Sequence, residues 1–228
     1  MTKVALLLWG QPRFLNNLSS HESHVKHIML KYETDVFVHA WWSREPEDMI
    51  PSSWSQMTNP VPYNRDTIKY IRTLYNPVHA VYEKQIEFEN NMDKAKGYDF
   101  IKSPNDLNNM KSHLYSMKKV GEVLRDYKDP NEYDFIVLSR FDNIIEELGE
   151  FHNLGVGFYR MQDHPGLADQ LFVFSPKFLK FLDVFDEFDE LGEDSSYSLE
   201  RMKEKYFAKY FPDHGMNPLL INLRLARS

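Results

Sequence analysis

Three stretches of this chain are apolar without alternation. Lys3–Gly10 carries Val4, Ala5, Leu6, Leu7, Leu8 and Trp9 in one run that ends on a glycine, and residues 35–42 and 133–138 repeat the pattern. A strand with one wet face alternates apolar and polar positions; an unbroken run suits a strand covered on both faces, as in a parallel α/β sheet. Between the first two runs Val25, Ile28, Met29 and Tyr32 fall at helical spacing. This predicts a helix over 21–32 and a βαβ unit with a right-handed crossover.

The same reading carries on downstream. It predicts a helix over 66–75 ended by Pro77 and a strand over 78–82. Ser103-Pro104 with Asp106 is a helix start, and Leu107, Met110, Leu114, Met117, Val120, Leu124 and Tyr127 follow at spacings of three and four. Strands are expected at 157–161 and 171–174, and a helix from Ser175-Pro176 that buries Phe178, Leu182, Phe185 and Phe188. A last helix over 195–209 and an edge strand over 219–225 complete the set. Residues 43–65, with Pro46, Pro51, Pro60 and Pro62, read as a long loop. No internal repeat or linker divides the chain, so the expectation is one α/β domain over 1–228.

Composition narrows the chemistry. With no cysteine among 228 residues, disulfides, thiolate zinc sites and cysteine nucleophiles are ruled out. A net charge of −7, from 34 acidic against 27 basic residues, disfavours general nucleic-acid binding but allows a local basic pocket for a phosphorylated small molecule. No apolar run approaches the roughly 20 residues that span a bilayer. The opening run is followed at once by Gln11 and Arg13, so it reads as a buried strand of a cytoplasmic protein, not a signal peptide. Aromatic residues make up 14%, enough for a bulky core or a ring-lined cleft.

In open α/β sheets ligands bind beyond the carboxyl ends of the strands. After the first strand stands Gly10-Gln11-Pro12-Arg13: a glycine that lets backbone approach a ligand, an amide, and a guanidinium able to grip phosphate. After the second come Trp41 and Trp42, which can stack on a base or sugar, or simply pack. After the fourth come Arg140 and Asp142, suited to a diphosphate and a cation, or to each other. Asp169-Gln170, entering an apolar strand, can bind sugar hydroxyls or act as a base, or cap a turn. His21, His24 and His27 point too far apart on a helix for one metal site. The acids from Asp183 to Asp194 alternate with apolar residues and read as a solvated helix face. Neither a dinucleotide fingerprint, nor a P-loop, nor a Gly-x-Ser-x-Gly elbow occurs.

Taken in order, these residues resemble a family. Gly10-Gln11-Pro12-Arg13 after the first strand, the second strand at 35–42, the helix segment Leu114-Tyr115-Ser116-Met117-Lys118-Lys119, the strand 133–142 with Arg140-Phe141-Asp142, and Ala168-Asp169-Gln170 before an apolar strand are similar to small glycosyltransferases of bacteria, phages and large DNA viruses, relatives of the WavE-type lipopolysaccharide-synthesis proteins. The resemblance implies a GT-A-like, Rossmann-like fold with a mostly parallel sheet flanked by helices. It implies transfer of a sugar from a nucleotide-diphospho-sugar donor to a glycan or lipid-linked acceptor. By the same analogy Gln11 and Arg13 face the nucleotide or diphosphate, and Asp169 and Gln170 address the transferred sugar or the acceptor; Gly10, Trp41, Trp42, Ser116 and Lys119 complete the expected substrate site, in which Arg140 and Asp169 are expected to act in catalysis. Asp142 stands where the family's metal-binding Asp-x-Asp lies, which implies Mn2+ or Mg2+. No literal Asp-x-Asp occurs in the chain, so a degenerate, non-catalytic sugar or nucleotide binder is the alternative.

Overall fold

The structure, a computed structural model, describes residues 1–12, 18–48, 65–95, 101, 103–161, 170–195 and 197–225. The expected long loop therefore lies mostly outside the described residues.

The unbroken apolar runs form the middle of one sheet. β1 (Lys3–Gly10) pairs in parallel with β2 (Glu33–Trp41) on one side and β4 (Phe135–Arg140) on the other. β2 pairs in parallel with β3 (His79–Glu83). Beyond β4 the sheet turns antiparallel through β7 (Leu171–Phe174) and β6 (Phe158–Met161), and β8 (Met216–Leu219) closes the edge parallel to β6. The order across the seven strands is β3-β2-β1-β4-β7-β6-β8. The chain is thus α/β with a mostly parallel central sheet flanked by helices, as the sequence pattern predicts.

Both faces of the sheet are covered, which is why its strands do not alternate. Ala5, Leu7, Trp9, Phe37, Ile136 and Leu138 pack on one side against α4 (Pro104–Tyr127) and the helical stretch after β7. Val4, Leu6, Leu8, Val36, Val38 and Val137 pack on the other against Ile28, Tyr32, Ile71 and Tyr75. At about 25 cal/mol per Å2, a fully buried leucine contributes ~2 kcal/mol, and the three leucines of β1 are all fully buried. α4 starts where Ser103 predicts: the Asp106 carboxylate accepts from the Ser103 N–H at 2.8 Å and hydroxyl at 2.9 Å.

Several elements differ from expectation. The helix expected over 21–32 is α1 (Ser19–His24) continued by a π-helical turn, Val25–Met29. α2 is Thr67–Tyr75, ended by Asn76 in the left-handed region, and a short α3 is Met92–Ala95. The stretch after Ser175 begins as 3-10 turns (Pro176–Glu187), where Phe178, Phe181 and Val184 repeat every three residues, before becoming α5 (Phe188–Asp194). The last helix, α6, is Leu199–Tyr210 and starts late because Tyr197 adopts φ +51 and Ser198 caps it. A strand the pattern missed, β5 (Asn143–Leu148), pairs antiparallel with β9 (Ile221–Leu225) in a separate two-stranded sheet. The expected edge strand over 219–225 is accordingly split between β8 and β9. Among the described residues, no helix is long and apolar enough to cross a membrane.

Candidate functional site

β1, β2 and β3 step outward in chain order, and β4 returns to the opposite flank of β1. The crevice between the carboxyl ends of β1 and β4 is therefore a topological switch point, where an open α/β sheet leaves room for a ligand. Register places Trp9 beside Arg140, Gly10 beside Ala40, and Trp41 beside Glu83. Gly10-Gln11 and Arg140 thus flank the crevice.

Gly10 has φ +94, a conformation that side-chain-bearing residues rarely adopt, and a Cβ built there would meet nothing within 4 Å. Backbone and open space meet at the end of β1, as close approach of a ligand requires. Its N–H donates to Ser116 Oγ at 2.9 Å. Gln11 Nε2 donates to Gln85 Oε1 at 2.8 Å, and Gln85 Nε2 donates to Ser112 Oγ at 3.3 Å. Ser112 and Ser116 lie one turn apart on α4, and Glu83 and Gln85 lie two residues apart, so each pair faces one way.

A chain of hydrogen bonds continues from the buried Ser116 to the half-buried Glu83. His39 Nδ1 lies 2.6 Å from Ser116 Oγ, and His39 Nε2 lies 2.7 Å from Glu83 Oε1. The carboxylate can only accept, so Nε2 carries the proton and Nδ1 accepts from the Ser116 hydroxyl. Burial lowers the His39 pKa, opposed by Glu83, and the imidazole is neutral; its hydrogen bond holds the Glu83 carboxyl below its usual range. Lys119 bonds Glu122 at 2.7 Å, which raises its pKa, and lies over the Tyr115 ring at 5.5 Å.

Across the crevice β4 ends at Arg140, and Phe141-Asp142 turn the chain into β5. Phe141 is fully buried and anchors the turn against Tyr75. Arg140 Nε and Nη2 donate to the two oxygens of Asp142 at 2.8 and 2.6 Å. The Gln170 carbonyl accepts from the Arg140 N–H at 3.4 Å and from Asn143 Nδ2 at 2.6 Å, so the chain enters β7 beside Arg140. Beneath this turn, His24 is enclosed between Tyr75 Oη and Ser139 Oγ, both at 3.0 Å, and burial pushes its pKa down to about 3.

Of the residues singled out from sequence, Gly10, Gln11, Trp42, Lys119, Arg140 and Gln170 keep some exposure along this edge. Arg13 and Asp169 lie outside the described residues. Three of the singled-out residues are enclosed by the protein itself. Trp41 is 2% exposed and stacked on Tyr115 at 5.3 Å, so it packs the interior instead of offering a ring to a ligand. Ser116 has no exposed surface and binds the protein's own Gly10 and His39. Asp142 is 3% exposed with both oxygens on Arg140.

That last arrangement does not fit a divalent ion. A metal would have to displace a bidentate guanidinium from a buried carboxylate. Among the described residues, no group of three or more histidine, aspartate or glutamate side chains could hold one.

His39, Glu83, Gln85 and Ser112 carry much of the site's wiring and were not marked by sequence motifs. The available signal was a histidine and two serines on inward-facing positions of an apolar strand and helix, where a polar group needs a partner. Of the acids in α5 and the preceding turns, Asp186, Asp189, Glu190 and Asp194 are exposed, as expected of a wet face, whereas Asp183 and Glu187 are half-buried and pair with Arg125 at 2.9 Å and Lys209 at 2.8 Å.

Neither a protein-family model nor a curated protein matches the chain. Among solved structures it is similar to the apo form of the glycosyltransferase GlyE of Streptococcus pneumoniae TIGR4, at 12% identity and a TM-score of 0.44. A second structure of that glycosyltransferase gives 10% identity and a TM-score of 0.41. Both alignments cover 95% of this chain and 45% of the other, so the chain spans less than half the length of either.

Proposed function

We propose that this chain is a glycosyltransferase that moves a sugar from a nucleotide-diphospho-sugar to a glycan or lipid-linked acceptor. The observation that carries the reading is the pairing, at the β1/β4 switch point, of a glycine at positive φ facing open space with an arginine held in a fixed orientation. The ordered resemblance of residues 3–176 to WavE-type transferases supports it.

In this reading the diphosphate lies over the Gly10-Gln11 turn and meets the Arg140 guanidinium. The acceptor oxygen bonds to the anomeric carbon as the bond from that carbon to the diphosphate breaks. The electron pair leaves on the diphosphate, where Arg140 offsets the developing charge. The acceptor proton passes to a base, for which Asp169 is the sequence candidate. Asp142 acts through Arg140: its two hydrogen bonds fix the guanidinium before substrate arrives, so no reorganisation is needed as charge develops. No step is routed through a metal ion.

The test is a panel of UDP-, GDP- and dTDP-sugars, with binding measured by calorimetry and nucleotide release measured with mixed glycan acceptors, with and without manganese. One donor should bind, and Arg140→Ala should weaken it at least tenfold, about 1.4 kcal/mol. Failure of every donor to bind, or an unchanged affinity in the variant, overturns the assignment. The engagement of both Asp142 oxygens favours a second reading, a non-catalytic nucleotide-sugar binder. Binding with no release or transfer would select it.

A further inference from the structure

Gly10 starts the turn that faces the crevice, and its N–H is committed to a side chain: Ser116 Oγ accepts it at 2.9 Å. Ser116 is fixed in turn because its proton goes to His39 Nδ1 at 2.6 Å, and His39 is fixed by Glu83 at 2.7 Å. Ser116 and His39 have no exposed surface. The next residue, Gln11, is tied by Gln85 to Ser112, so α4 is joined to the turn at two positions one helical turn apart.

We propose that His39 is a positioning residue, which with Ser116 and the half-buried Glu83 forms a relay that fixes the Gly10 amide and so aims the Gly10-Gln11 segment at the donor diphosphate. This rests on the transferase reading above for its ligand, but not for its geometry. Four observations carry it. A buried histidine has both ring nitrogens engaged. Its tautomer is set by a carboxylate. Its proton acceptor holds a hydroxyl, and that hydroxyl accepts a backbone N–H at φ +94, where only glycine is unstrained.

The order serine, histidine, glutamate matches a hydrolytic triad, and burial separates the two. A nucleophile must reach its substrate, whereas Ser116 is wholly enclosed and already accepts the Gly10 N–H. Trp41 supports the relay from one side, its ring meeting His39 edge-on at 4.9 Å. Positioning through such a chain has a consequence for substitutions. Asparagine at 39 can put an acceptor near the Nδ1 position and keep Ser116 in place, whereas leucine cannot.

The test reads the relay directly by nuclear magnetic resonance. In the wild-type chain, long-range nitrogen–proton spectra should show His39 protonated at Nε2 only. Ser116→Ala and His39→Leu should each speed exchange of the Gly10 amide at least tenfold, with the amides of Leu7 and Leu8 unchanged as evidence that β1 is intact. His39→Asn should retain most of the protection, a rescue that lost packing alone would not produce. Whichever of UDP, GDP or dTDP binds the wild type should lose at least tenfold in affinity in Ser116→Ala and less in His39→Asn. A His39 proton on Nδ1, or Gly10 exchange unchanged by Ser116→Ala, overturns the relay. Faster exchange with unaltered nucleotide affinity overturns the positioning role. If none of the three nucleotides binds the wild type, the transferase reading fails by itself, while tautomer and exchange still decide the relay.

Discussion

Arg140 and Asp142 decide between an ion pair and a metal centre, and their coupling can be measured. The pair is bidentate, at 2.8 and 2.6 Å, with side-chain exposures of 22% for the arginine and 5% for the aspartate. Breaking a fully buried pair by removing one partner costs about 3–5 kcal/mol, whereas an exposed pair contributes about 0–1 kcal/mol. Here the two partners are not equally enclosed, so the two truncations should differ. Arg140→Ala strands a carboxylate that water scarcely reaches, and should cost ~3 kcal/mol. Asp142→Ala leaves a guanidinium that can turn toward solvent, and should cost ~2 kcal/mol. The double variant strands neither charge; at ~3 kcal/mol in total it gives a coupling of ~2 kcal/mol. Urea unfolding followed by tryptophan fluorescence, extrapolated linearly to water, supplies each value. Adding salt should change the coupling little, because the Asp142 side of the pair is buried. A coupling below ~0.5 kcal/mol, or a larger cost for Asp142→Ala than for Arg140→Ala, would contradict an ion pair enclosed on its aspartate side.

Other parts of the structure make their own predictions. His24, lowered by burial to about 3 from 6.5, refuses in the folded chain a proton that the unfolded chain binds, so its contribution is complete above about pH 6.5 and is lost as pH falls toward 3. Between pH 6.5 and 4.5 this amounts to about 2–3 kcal/mol, and His24→Gln should flatten that part of the urea-midpoint profile; an equally steep profile would remove His24 as the cause. Gly10→Ala introduces no clash within 4 Å but holds alanine at φ +94, which should cost about 1–2 kcal/mol; unaltered thermal stability would contradict the strained backbone. Gly192→Ala would put a Cβ 2.6 Å from the buried Tyr197 ring, itself at φ +51, and should cost about 1–3 kcal/mol on chemical denaturation, against little change if the ring can move aside.

The contrast between these sites shows which part of a structure a sequence makes legible. The runs at Val4–Trp9, 35–42 and 133–138 announce strands covered on both faces because burial is written into each residue's own polarity. From those strands the carboxyl-end rule finds Gly10, Gln11 and Arg140 without any knowledge of their contacts. β5 escapes because Asn143-Ile144-Ile145 becomes a strand only by meeting β9, and its partners lie about 75 residues away; Asn222 donates to Glu147 across that gap. The wiring of the crevice escapes for the same reason. Gln11 reaches Gln85 over 74 positions and Gly10 reaches Ser116 over 106, and no periodicity links residues so far apart. Asp142 is the intermediate case. Its spacing from Arg140 permits both a metal ligand and an ion pair, and composition is silent between them. A two-residue turn anchored by Phe141 brings the carboxylate onto the guanidinium, and that local geometry makes the aspartate a brace for the arginine. The same logic sets the charge balance of the site. In a chain of net charge −7, phosphate is attracted only where a cation is held and aimed. In the transferase reading proposed above, an aspartate that aims Arg140 contributes to anion binding although its own charge opposes it.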